Sequence, residues 1–171
     1  MNRFVLACVF IVVLVADLYT KHLAQQMLVL GEPVEVIAGL FNFTLVYNPG
    51  AAFGLFGDLS PVVRRVTLAT VSLIALCVIF RFLVHEAKDD AVSRVALVAV
   101  LGGALGNIVD RIRYDAVVDF LDFYWGSYHW PAFNIADSAI CVGVAVLVVR
   151  IIFAPKPEVV EIDPETDVAG A

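Results

Sequence analysis

The sequence predicts an all-α polytopic membrane protein: four transmembrane helices, with a short β-structured stretch outside the membrane core. Three observations lead there. The chain is 61% hydrophobic and 16% charged, whereas soluble domains sit near about 45–50% apolar and about 25% charged. Its mean hydropathy is +0.92. Its 171 residues leave room for about four spans of roughly 20 residues plus loops.

The first span is expected over 4–21. It opens after Arg3, stays apolar to Ala16, takes in Asp17 and ends near Lys21. Its start resembles a secretory leader, but no small-x-small cleavage site follows, so a retained span is expected. Asp17 and Lys21 are four apart and share a helix face. They either close the helix end as an ion pair or brace a polar site there. Residues 32–58 differ in kind. Glu32-Pro33 marks a turn, and Val34 to Ile37 and Phe41 to Tyr47 are β-branched and aromatic with partial alternation, which predicts short strands. Asn48-Pro49-Gly50 then forces a turn.

The second span is expected over 61–83, with Pro61 suited to the first helical turn. Arg64 and Arg65 lie at one end and Arg81 at the other. The third, over 92–112, contains Gly102 and Gly106 at the spacing that lets helices pack closely. It ends in Asn107, Asp110 and Arg111. Asp119 follows, then an aromatic loop from Tyr124 to Trp130, read as either an interfacial belt or a flap. The fourth span is expected over 135–153, entered through Asn134, Ala136, Asp137 and Ser138 and stopped by Pro155 and Pro157. Residues 1–157 are expected to form one membrane-embedded domain. Five acids crowd 158–171 and carry most of the net charge of −6. A disordered tail is expected there.

Charge placement narrows the function. In an up-down-up-down chain, Asp17, Lys21, Asn107, Asp110, Arg111, Asp119, Asn134 and Asp137 gather at one leaflet. The opposite span ends carry only Arg3, Arg81, Arg94 and Arg150. The apolar runs Phe4 to Ala16 and Ser138 to Val149 are shorter than a ~30 Å hydrocarbon core needs, so flanking charges are drawn toward lipid. Lysine and arginine near the span ends favour cytoplasmic termini by a narrow margin. No basic block suggests nucleic acid. Cys8, Cys77 and Cys141 lie in separate apolar runs without metal-ligand spacing, so no metal and no cofactor is expected.

Two carboxylates sharing a site cannot both ionise comfortably, so one can act as base and the other as acid on a water molecule. Asp119 and Asp137 suit that role. They suit equally a loop salt bridge and a helix cap. Asp137, at a helix N-terminus, is the more easily ionised of the two. Ser138 has no histidine at a suggestive spacing, which disfavours a serine nucleophile. A proton-coupled carrier would place an acid near mid-span, and here every acid lies at a span end. A non-enzymatic scaffold of capped helices is the other alternative.

Five motifs resemble the bacterial lipoprotein signal peptidases (signal peptidase II). They are Asp17-Leu18-Tyr19-Thr20-Lys21, Asn48-Pro49-Gly50-Ala51-Ala52-Phe53, Gly102 to Asn107 through Asp110-Arg111, Val117-Val118-Asp119-Phe120, and Phe133-Asn134-Ile135-Ala136-Asp137-Ser138. The resemblance covers all but the tail. It implies four transmembrane helices with a small extracytoplasmic β-sheet cradle, in the bacterial inner membrane, with the active site at the outer leaflet. It implies an aspartic endopeptidase that removes signal peptides from diacylglyceryl-modified prolipoproteins, cutting just before the lipidated cysteine. Asp119 and Asp137 match the family's catalytic pair. Asn107, Asp110, Arg111 and Asn134 match residues that line or brace the site, with Ala136 and Ser138 in the same motif. Asn48 and Gly50 match the segment beside the substrate, and Asp17 with Lys21 supports the pocket. Membrane lipids and cyclic peptide antibiotics are the implied further partners. Pro49 departs from the pattern, since threonine is commoner there, and the acidic tail replaces a basic end.

Overall fold

A computed structural model describes residues 2–50, 60–85 and 90–153. Ala51 to Phe53 of the second motif, the end of the expected cradle and the acidic tail lie outside them. Four helices are long and apolar enough to cross a membrane: α1 (Arg3–Met27), α2 (Pro61–His85), α3 (Ala91–Tyr114) and α4 (Ile135–Ile152). Four strands accompany them: β1 (Val34–Ile37), β2 (Phe41–Asn48), β3 (Val117–Trp125) and β4 (Tyr128–His129).

Spans two, three and four match their expected bounds within two residues. Span one does not, because α1 continues six residues beyond Lys21 to Met27. Helix propensity explains the extension: His22 to Met27 holds no glycine or proline and includes alanine, leucine, glutamine and methionine. At 25 residues α1 is roughly 37 Å long. It therefore spans the core despite its short uncharged run. The consequence is that Asp17 and Lys21 are interior helical residues, not an end cap.

The central element is α3, which packs on α1, α2 and α4. Glycine makes this possible. A Cβ at Gly102 would stand 3.1 Å from the Phe10 carbonyl oxygen of α1, and one at Gly103 only 2.6 Å from the Ala136 carbonyl oxygen of α4. Gly106 lies directly against the Asp17 carboxylate. The Gly102/Gly106 face is thus the α1 interface, and Gly103 serves α4.

The strands form one antiparallel sheet in the order β1-β2-β3-β4. Half of it lies outside the expected 32–58 range. The segment expected as an aromatic loop is largely the β3–β4 hairpin, pairing Trp125 with Tyr128 across a turn where Gly126 has φ +59°. Polar and aromatic residues at 119–125 masked the strand period, and β3 is ordered by its partner β2 rather than by alternation. In that pairing Val46 faces Asp119 and Asn48 faces Val117. One further expectation fails: the leaflet opposite Asp119 is not free of acids abutting spans. Asp90 caps α3, accepting from the Val92 and Ser93 amides, and pairs with Arg150 at 2.9 Å.

Candidate active site

The site forms where three spans meet the sheet. Asp17, Lys21, Asn107, Asp110, Asp119 and Asn134 are all buried, and buried polar groups must be paired. Lys21 is the hub on the α1 side. Its ammonium lies 2.8 Å from Asp17 Oδ2 and 2.8 Å from Asp110 Oδ2, and donates to Asn107 Oδ1 at 2.9 Å. Three donors thus meet three acceptors, which satisfies an ammonium completely.

The two acids on Lys21 also hold backbone. Asp17 Oδ1 accepts from the Ala136 amide at 2.9 Å, in the first turn of α4. Asp110 Oδ2 accepts from the Val118 amide at 3.1 Å, at the start of β3. A carboxylate on each segment's free N–H anchors it and removes an unpaired buried donor. Lys21 therefore fixes, through Asp17 and Asp110, the two segments that carry Asp137 and Asp119.

Asn134 joins those two carboxylates. It caps α4: its Oδ1 accepts from the Asp137 amide at 2.9 Å, while Asp137 Oδ2 accepts from the Asn134 amide at 3.3 Å. This reciprocal pair is a capping box. The Asn134 Nδ2 group donates to Asp119 Oδ1 at 2.7 Å, to the Val118 carbonyl oxygen at 3.2 Å and to Asn107 Oδ1 at 3.3 Å. Asn107 Nδ2 in turn donates to Asp137 Oδ1 at 2.8 Å. From the opposite side Asn48 Nδ2 donates to Asp119 Oδ2 at 3.1 Å. The Asn48 Oδ1 atom accepts from the Gly50 amide at 3.1 Å, which tightens the turn around Pro49. The helix-cap reading of Asp137 is therefore true, and its carboxylate is still held in the same network as Asp119.

The pair is electrostatically unequal. Asp119, on β3 and 2% exposed, is pushed up to about 7, chiefly by burial and then by the nearby Asp137 charge. Its hydrogen bonds from Asn48 and Asn134 oppose the rise without cancelling it. Asp137 is partly exposed and sits at the positive end of α4. The Arg111 guanidinium lies within electrostatic reach of Asp137, Asp119 and Asp110. It also donates to the Asn107 carbonyl oxygen at 3.3 Å.

Two expected site residues stand differently. Ser138 Oγ donates to the Asn134 carbonyl oxygen at 2.9 Å, so its proton is used inside the first turn of α4. Ala136 contributes its backbone amide alone. Asp122 was not foreseen. It is buried on β3, accepts from Asn42 Nδ2 at 3.0 Å, and its carboxylate is 3.0 Å from His129 Nδ1. An aspartate in an aromatic run offers no sequence signal of this, because its partners come from β2 and β4. No group of metal-ligating side chains occurs among the described residues.

Comparison with known proteins agrees with this geometry. Residues 9–153 match the family model described as signal peptidase (SPase) II. A lipoprotein signal peptidase of Desulforapulum autotrophicum is 45% identical over 153 residues, covering 90% of this chain and 94% of the relative. One from Syntrophus aciditrophicus is 46% identical over 144 residues, covering 84% and 89%. A bacterial membrane enzyme solved by the in meso method at 2.3 Å superposes with a TM-score of 0.80 at 28% identity, covering 91% of this chain and 94% of that one.

Proposed function

The chain belongs to the signal peptidase II family, and from that membership we propose that it is an aspartic endopeptidase working through Asp119 and Asp137. The substrate is a diacylglyceryl-modified prolipoprotein, cut just before the lipidated cysteine. The observation that carries this reading is the Asn134 side chain. It bonds Asp119 and caps the helix bearing Asp137, eighteen residues away, so two acids from different elements share one polar cage. A cap or a loop salt bridge alone would not need that bridge.

The inequality of the pair assigns the roles. Asp119, with its raised pKa, holds the proton near neutral pH, and Asp137 acts as the base. Asp137 takes a proton from water as the water oxygen bonds to the scissile carbonyl carbon. Asp119 gives its proton to the carbonyl oxygen, forming a gem-diol. Collapse returns a diol proton to Asp119 and breaks the C–N bond, while Asp137 passes its proton to the leaving amine. Both carboxyls end as they began. Arg111 lends positive potential to the ionised pair, and Lys21, Asn48 and Asn107 position it.

The substrate's lipid explains the location. Each acyl CH₂ drawn out of the bilayer costs about 0.8 kcal/mol, so a diacylated chain must be cut where lipid and water meet. We place that level at the outer leaflet, with the N-terminus and the end of α4 cytoplasmic. Cyclic peptide antibiotics fit the same cage as competitors.

The test is incubation of the reconstituted protein with a diacylated lipobox peptide and mass spectrometry of the products. Cleavage before the modified cysteine is expected, with Asp119→Asn and Asp137→Asn each folded and at least about 10³-fold slower, as for loss of a general acid or base. Near-normal turnover in either variant would refute the dyad. Proton uptake without cleavage would favour a carrier.

A further inference from the structure

A second feature lies on the far side of α3. Between α2 and α3 runs a groove of about 530 Å³ with Arg64, Arg65 and Arg111 at its lip. Leu68, Leu73 and Ile112 lie beneath. One carboxylate, Asp115, shares the lip and pairs with Arg65 at 2.6 Å.

The placement of these arginines is unfavourable on two grounds. Arg64 and Arg65 stand in the first turns of α2, which holds no acid in its first turn, so they oppose the positive end of the helix dipole. In the orientation proposed above they also lie outside, against the tendency of arginine to stay cytoplasmic. Three guanidiniums against one carboxylate leave the lip positive, directly above an apolar floor. An anion with acyl chains complements both halves.

We propose that this groove binds an anionic phospholipid of the outer leaflet. The phosphate sits against Arg64 and Arg65, and an acyl chain lies along Leu68, Leu73 and Ile112. The proposal rests on the peptidase reading only for the choice of leaflet, and its readout is lipid binding, independent of cleavage.

The test is native mass spectrometry of the full chain released from micelles containing equal phosphatidylglycerol and phosphatidylcholine. Preferential retention of one phosphatidylglycerol is expected. Arg64→Gln with Arg65→Gln should lower that preference roughly tenfold, since each arginine near an anionic lipid surface contributes about fivefold or more. Asp115→Asn, which removes the competing carboxylate, should raise it; a gain of binding cannot come from misfolding. Circular dichroism and thermal unfolding check that the double variant is folded. Equal retention of the two lipids by the wild-type chain, or unchanged preference in all variants, overturns the proposal. Displacement of the lipid by millimolar inorganic phosphate also overturns it, because that marks a site for a soluble anion.

Discussion

At the scale of single residues, the site depends on a small set of buried polar groups with few spare valences. Lys21 shows how this constrains substitution. Its ammonium is shared by Asp17, Asp110 and Asn107, so Lys21→Met would leave two buried carboxylates without their cation. Removing one partner of a buried charge pair costs about 3–5 kcal/mol. A large fall in thermal unfolding temperature is expected, with partial recovery when Asp110→Asn is added. Asp119 makes a pH prediction with a definite sign. Its folded pKa of about 7 lies above the ordinary 3.8, so the folded state binds the extra proton between those values. Stability from this group is therefore complete below about 3.8 and lost as pH rises through about 7. Asp119→Asn, which keeps the shape without the charge, should unfold at a higher temperature than the wild-type chain at pH 8 and show no such gain at pH 4. Cleavage that needs protonated Asp119 should decline over the same upper range, measured as kcat against pH with the lipidated peptide.

At the scale of elements, the glycines of α3 and the β3–β4 hairpin decide how closely parts approach. Gly103 is the more severe of the α3 positions, because an added methyl meets backbone, the Ala136 carbonyl oxygen, and not a side-chain tip. Ala136 also gives its amide to Asp17. Gly103→Ala should therefore push α4 away, lower the unfolding temperature and slow cleavage together. Gly126→Ala is the control. It has open space around it but φ +59°, so it strains the hairpin turn by about 1–2 kcal/mol and should leave the dyad's turnover intact. The hairpin presents Trp125 at 84% and Tyr128 at 80% exposed.

At the scale of the molecule, the four spans set which groups share a leaflet, and this can be tested directly. With Cys8, Cys77 and Cys141 replaced by alanine, Tyr128→Cys should react with a membrane-impermeant maleimide added to intact cells. Ala91→Cys, at the opposite end of α3, should react only after lysis. The reverse pattern would place the dyad at the cytoplasmic face and sink the proposed orientation.

The sequence by itself determined the spans, the first two strands and the residues that gather at one leaflet. Spans are legible because transfer of an apolar run into lipid is a local property, additive along the chain. The stretches at Val34–Ile37 and Phe41–Asn48 were legible because β-branched and aromatic residues carry a local preference. The family motifs marked the polar residues but not what each one touches. Only the tertiary structure decided that β3 is a strand, since its order comes from pairing with β2 about seventy residues earlier. It also decided that α1 carries Asp17 and Lys21 inside its length, and that Asp17 reaches the Ala136 amide across 119 positions of sequence. Such contacts leave no local trace. A buried charge is stable only where distant segments supply every partner at once, and that condition is met by folding, not by composition.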